Sequence, residues 1–170
     1  MDYFDYGWWT FLFRWLHVIS GVMWIGLLWY FNFVQTPSMP NIPADQRPAI
    51  TGHIAPRALF WFRWAALSTV VTGLIVAYMN GYIFEAATLG LTEGGIAKHT
   101  AIGFGGWLGV FMAFNVWFII WPNQQKVLGL VEADATAKAS AARMAALASR
   151  TNTMLSIPML YAMVSAQNLY

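Results

Sequence analysis

The sequence contains no cysteine, and only 9% of its 170 residues are charged. The lack of cysteine excludes disulfide bonds, iron–sulfur clusters, thiolate nucleophiles and the C-x-x-C-H attachment of c-type haem. Soluble proteins carry roughly 25% charged residues, so this chain has too few charges to cover a water-soluble globule. A net charge of +2 is too small for a basic surface that binds nucleic acid.

The residues that are abundant are apolar and aromatic. They reach 59% and 17% of the chain, with 10 tryptophans. A bilayer core of about 30 Å is crossed by roughly 20 apolar residues in a helix, and four segments qualify: about 8–34, 59–84, 97–121 and 151–169. The sequence therefore predicts an all-α integral membrane four-helix bundle that forms a single membrane domain over residues 1–170.

The connections between these segments differ in composition. Five prolines fall between residues 35 and 56, which predicts an extended, stiff loop at the membrane surface. Pro122 lacks a backbone N–H and is expected to end the third helix. The alanine-rich segment at about 130–149 predicts a surface helix on the cytoplasmic side.

The basic residues are divided unevenly between the two ends of the predicted helices. Seven of the 9 belong to the first and third loops or their edges: Arg47, Arg57, Arg63, Lys126, Lys138, Arg143 and Arg150. Because cytoplasmic loops are enriched in lysine and arginine, both termini are predicted outside, in the periplasm. The predicted location is the bacterial cytoplasmic (inner) membrane, crossed several times.

His17 is the most informative polar residue of the first segment. It lies nine residues past Trp8, about 13 Å along the helix, and an ionisable group at that depth suggests a function. Arg14 lies one turn outward and Gly21 one turn inward, where it would leave space beside the imidazole. This pattern suits haem b, with His17 ligating iron and Arg14 pairing with a propionate. The alternative is a structural histidine bonded to a neighbouring helix.

His99, at the start of the third segment, is the best candidate for a second axial ligand of the haem iron. It shares the outer leaflet with His17, but it lies about 10 Å nearer the surface, and an interfacial histidine is the alternative. His53 is predicted on the cytoplasmic side, away from both. No spacing typical of a metalloprotease or of another protein-ligated metal site is present. We assign no catalytic residue.

Glycines 105 and 109 of the third segment form a small-xxx-small pattern, which is typical of close helix packing in membranes. A flat cofactor lying against these glycines is the alternative interpretation. Because the glycines fall inside a predicted membrane helix, they are not interpreted as a phosphate-binding loop.

Three blocks of sequence resemble a known family. They are RWLHVISGVMWIGLLWYFNFVQ (14–35), NVWFIIWPNQQKVLG (115–129) and ASRTNTMLSIPMLYAMV (148–164). They resemble the membrane domain of the bacterial membrane-bound urate oxidase (urate hydroxylase) family, in a short form that lacks the cytochrome c domain. For the long form of this family, the resemblance implies that a c-type cytochrome domain follows the membrane helices and faces the periplasm. His17 is the one position that the resemblance suggests as functional.

Two functions follow as expectations. The first is a redox-associated membrane protein that binds haem b and passes electrons to a periplasmic cytochrome c. The second is a cofactor-free accessory subunit that packs onto a larger respiratory or photosynthetic membrane complex. The expected partners are the lipid bilayer and other membrane subunits or a cytochrome c, and no nucleic acid.

Overall fold

The computed structural model describes residues 4–170, and all regular secondary structure in this part of the chain is helical. The prediction of an all-α protein is therefore confirmed for the described residues. The helices are α1 (Tyr6–Asn41), α2 (Arg47–Met79), the short α3 (Ile83–Ala87), α4 (Ala97–Val127) and α5 (Ala135–Asn168). We call the end that holds Tyr6 and Asn168 the terminal end, and the opposite end, with connections 42–46 and 128–134, the loop end.

Aspartate side chains define where α1 and α5 begin. Asp5 Oδ1 accepts a hydrogen bond from the N–H of Trp8 at 2.8 Å, and Asp134 Oδ1 accepts one from the N–H of Ala137 at 2.7 Å. The first N–H groups of a helix have no partner within the helix. An aspartate at the N-cap position satisfies one of them and stabilises the helix by about 1 kcal/mol.

Three prolines follow π-helical segments inside the long helices. These segments are Tyr30–Gln35 before Pro37, Ile50–Ile54 before Pro56 and Asn115–Ile120 before Pro122. In each case, the residue just before the proline donates its N–H to the carbonyl five positions back in the chain. This wider turn lets the helix continue through a residue that has no N–H to donate.

The helical prolines correct two sequence predictions. The extended loop predicted over 35–56 is wrong, because only residues 42–46 lie between the end of α1 and the start of α2. Pro122 also does not end α4, which continues to Val127. A proline ends a helix when the turn before it has α-helical hydrogen bonds. The turns before Pro37, Pro56 and Pro122 are π-helical, so the helices continue.

α1 and α2 pack as an antiparallel pair. Along their interface, Ser20 Oγ lies 2.9 Å from Ser68 Oγ, and the rings of Phe31 and Phe62 meet edge to face at 6.0 Å. The Tyr6 hydroxyl donates to the carbonyl of Met79 at the terminal end. The α1–α2 contact therefore runs from one end of the helices to the other.

α4 and α5 form a second antiparallel pair, and a glycine allows their close approach. A Cβ atom added to Gly105 would lie 3.2 Å from the Cβ of Ala162 and 3.3 Å from the carbonyl oxygen of Met159. The interpretation of this glycine as a packing residue is confirmed. Gly109 is buried, but a Cβ there would meet no atom within 4 Å.

A buried amide pair links α4 to α5 near the middle of the helices. The side chains of Asn115 and Asn152 are 4% and 0% exposed. Asn115 Nδ2 donates to Asn152 Oδ1 at 2.8 Å, and Asn152 Nδ2 donates to the carbonyl of Met112 at 2.9 Å. In a membrane, the lipid tails are as apolar as the helix side chains, so the hydrophobic effect does not drive helices together. Interhelical hydrogen bonds of this kind then help to hold them in contact.

α1 joins the two pairs through α5. Trp29 Nε1 donates to Ser156 Oγ at 2.9 Å, and Asn32 Nδ2 donates to Ser149 Oγ at 2.8 Å. Between these polar contacts lies an apolar core to which α1, α2, α4 and α5 all contribute. Its fully buried members include Trp24, Leu28, Phe62, Met112 and Val116.

Three of the helices, α1, α2 and α4, are long and apolar enough to cross a membrane. Large apolar side chains cover their outer surfaces, as shown by Val22, Tyr78 and Phe118, which are 69%, 74% and 69% exposed. Soluble monomers rarely expose continuous apolar surface of this kind. These features identify a membrane protein.

The predicted surface helix at about 130–149 and the predicted fourth span at 151–169 lie on one continuous helix, α5. Its first half carries Lys138, Arg143 and Arg150, which lowers the mean hydropathy of the helix as a whole. Its second half directs large side chains outward, with Met154, Ile157 and others exposed. Small and polar residues such as Ser156 face the other helices.

We predict that Asn152→Ala lowers the free energy of unfolding in detergent or bicelles by about 1–2 kcal/mol, because Asn115 would lose its partner inside the protein. Asn168→Ala is the control, since Asn168 is exposed and bonds only within its own helix turn, to the carbonyl of Val164. Equal stability losses in the two variants would contradict the role of the amide pair.

Candidate functional site

His17 lies between α1 and α2 and is half-buried. Its Nδ1 is 2.8 Å from the carbonyl oxygen of Thr69. A carbonyl oxygen can only accept a hydrogen bond, so Nδ1 carries the proton and the neutral ring keeps its lone pair on Nε2. A histidine that ligates a metal through one nitrogen commonly donates its other N–H to such a carbonyl. This hydrogen bond therefore gives His17 the tautomer that a ligand needs.

The imidazole of His17 packs directly on Gly73 of α2. A Cβ atom at Gly73 would lie 2.8 Å from Cε1 of the ring and 3.0 Å from Nδ1. Only glycine leaves room for the ring at this position. The prediction that Gly21 provides the space is wrong. Gly21 faces Thr69 instead, with Thr69 Cγ2 3.8 Å from where a Cβ would lie.

Arg14 lies near the terminal end of α1, one helical turn from His17. Its Nη2 is 3.4 Å from Oδ1 of Asn80, and the side chain is exposed. This distance is long for a hydrogen bond from a charged donor, which is typically about 2.7–2.9 Å. The guanidinium is also close enough to Tyr82 to influence the pKa of its hydroxyl.

His99 contacts Tyr82, at the start of the connection that leads from α2 to α4. The two rings are stacked, with centroids 6.3 Å apart and planes 23° apart. Burial raises the pKa of the Tyr82 hydroxyl, and the positive charge of Arg14 acts in the opposite direction. Tyr82 thus lies beside both Arg14 and His99.

Arg14 and His99 both lie beside Tyr82, whereas His17 lies at a different depth along the helices. His17 contacts α2 at Thr69 and Gly73, whereas His99 contacts Tyr82, beyond the end of that helix. The six residues from Gly73 to Met79 alone correspond to about 9 Å along the helix axis. The difference in depth that the sequence indicated for the two histidines is present in the structure.

His53 lies in the first turns of α2, at the loop end and exposed. It is therefore at the opposite end of α2 from Tyr82, as the sequence analysis expected for a histidine on the other side. Among the residues that the structure describes, no group of three or more histidine and acidic side chains could hold a metal ion.

Comparison with protein families adds an independent observation. A family model described as urate oxidase N-terminal matches residues 85–169, which is half of the 170-residue chain. The matched region begins in α3 and contains α4 and α5, with His99 and the Asn115–Asn152 pair.

The same region contains two of the three sequence blocks that carry the resemblance, at 115–129 and 148–164. No curated protein and no solved structure gives a match. The chain belongs to the urate oxidase N-terminal family.

Proposed function

We propose that this protein is a redox-associated membrane protein that binds haem b through Nε2 of His17. The observation that supports the proposal most strongly is the 2.8 Å contact from Nδ1 to the Thr69 carbonyl, which leaves Nε2 as the free base. A b-type haem would supply one-electron chemistry, and a periplasmic cytochrome c is the proposed acceptor. Membership in a urate oxidase family is compatible with an oxidoreductase role.

Arg14 is the proposed partner of a haem propionate. It lies one turn from His17 toward the terminal end, and its contact with Asn80 is long enough to be exchanged for a carboxylate. Arginine is suited to this role because its planar guanidinium forms two parallel hydrogen bonds with a carboxylate.

His99 would act as a second ligand of the haem iron only if the 80–96 connection rearranged. In this structure its ring is stacked on Tyr82, and a Cβ at Gly90 would lie 3.3 Å from His99 Cβ. The histidine is therefore fixed near the terminal end, away from the level of Gly73. We accordingly assign the iron first to His17.

We further propose that α5 is a fourth span and that the four helices form a bundle with both termini in the periplasm. α5 supports this by facing small and polar residues inward and large apolar residues outward over its second half. The basic residues at the loop end support a cytoplasmic loop end, in the bacterial inner membrane.

A cofactor-free accessory subunit is the second candidate. It is favoured by large aromatic side chains exposed around the helices, among them Trp15, Trp107 and Phe118, which could pack against another membrane subunit. In this case the Thr69 hydrogen bond of His17 would serve only to join α1 to α2.

The first test is the absorption spectrum of the protein purified from membranes, oxidised and reduced. We expect a Soret band that His17→Ala abolishes, because the axial nitrogen would be lost. His53→Ala is the matched control and should keep the band, since His53 lies at the other end of α2. A Soret band that persists in folded His17→Ala would contradict the assignment. A colourless wild-type protein that co-purifies with oxidase or cytochrome subunits would favour the accessory role.

Gly73→Ala tests the same site from the neighbouring helix. The added methyl group would lie 2.8 Å from Cε1 of His17, so the imidazole must move. We expect a shifted or weakened Soret band and a loss of about 1–3 kcal/mol of stability, as in other overpacked cores. Gly26→Ala is the control, because a Cβ there meets nothing within 4 Å. The site would be wrongly placed if the spectra of the two variants were the same.

The orientation can be tested with single cysteines, because the natural chain has none. In intact spheroplasts, a membrane-impermeant maleimide should label Thr92→Cys, in the terminal-end connection. It should label Asp45→Cys, in the loop-end connection, only after permeabilisation. The reverse pattern would contradict the proposed orientation.

A further inference from the structure

Arg63 of α2 packs against two aromatic rings near the loop end. Its guanidinium carbon lies 3.6 Å from the ring centroid of Trp121 on α4 and 5.5 Å from that of Phe60. Trp117 Nε1 also donates to the carbonyl of Arg63 at 3.1 Å. The cation is therefore held at the place where α2 and α4 meet.

With Met79 at the terminal-end edge of the hydrocarbon core, Arg63 lies near the opposite edge. Sixteen residues separate it from Met79, the terminal-end limit of α2, which is about 24 Å of helix against a core of about 30 Å. Long basic side chains at such depths extend toward the nearer interface. Trp121 lies 24 residues, or about 36 Å, along α4 from Ala97. Its ring is therefore near the membrane interface toward which the Arg63 side chain extends.

Arg63 has no acidic residue in its own span. All 7 acidic residues of the chain lie outside Arg47–Met79. A guanidinium whose face rests on an aromatic ring still has its N–H groups at the edge, where they can donate to a planar or tetrahedral anion. Arg63 is partly exposed near the loop end, so its remaining N–H groups are accessible to an acceptor from the membrane interface.

We propose that Arg63, supported by Trp121, binds the phosphate of an anionic phospholipid headgroup in the leaflet at the loop end. Arginine forms paired hydrogen bonds with phosphate, and the stacked ring restricts the guanidinium to one orientation. Basic residues outnumber acidic ones in the surrounding loop-end segments, which favours an anionic over a zwitterionic lipid. Such a lipid would bridge α2 and α4. The site is independent of haem binding.

The test measures lipid binding to the full-length protein in mild detergent by native mass spectrometry and by thermal unfolding. The probes are dioleoyl phosphatidylglycerol, dioleoyl phosphatidylcholine and inorganic phosphate. We expect preferential retention of phosphatidylglycerol, which raises the unfolding temperature. Arg63→Gln should weaken this binding about fivefold, because the variant loses the paired hydrogen bonds to the phosphate as well as the charge.

Arg57→Gln is the matched control, since it removes the same charge from an exposed position of the same helix. It should change phosphatidylglycerol binding less than twofold. If Arg63→Gln does not fold, Arg63→Lys keeps the charge but loses the paired hydrogen bonds and should still bind phosphatidylglycerol more weakly than the wild type.

Three outcomes would overturn the proposal. They are equal losses in the Arg63→Gln and Arg57→Gln variants, equal affinity for the two lipids, or full displacement of phosphatidylglycerol by millimolar inorganic phosphate. The first would indicate only general surface charge. The last would assign the site to a soluble anion.

Discussion

The hydrogen bond from His17 Nδ1 to the Thr69 carbonyl is the interaction on which the account of this protein depends. It joins α1 to α2, and it is possible only because Gly73 has no side chain where the ring lies. In hydrocarbon, a polar group without a partner costs several kcal/mol. The bond thus stabilises the helix pair and at the same time leaves Nε2 as the available base.

Other polar side chains between the helices meet the same requirement. The amides of Asn115 and Asn152 satisfy each other between α4 and α5, and Trp29 reaches Ser156 across α1 and α5. Large apolar side chains are directed outward instead. This distribution, with polar groups between the helices and apolar groups outside, is what a membrane environment favours.

Much of the fold could be predicted from composition and the length of apolar runs, including the three helices long enough to span a membrane. The effect of the prolines could not be predicted, since the π-helical turns before Pro37 and Pro122 depend on packing that no local pattern reveals. Gly73 was missed for a related reason. Helical periodicity places neighbours on one helix, as for Gly21, but it does not show which residue of another helix faces a given side chain.

The most direct test of the central claim is the tautomer of His17 in the haem-free protein. Nitrogen-15 NMR of the histidine side chains, with His53→Gln and His99→Gln variants for assignment, distinguishes a protonated from an unprotonated ring nitrogen. The account predicts that Nδ1 of His17 carries the proton and Nε2 does not. A proton on Nε2 with Nδ1 unprotonated would contradict both the contact with Thr69 and the proposed ligand role.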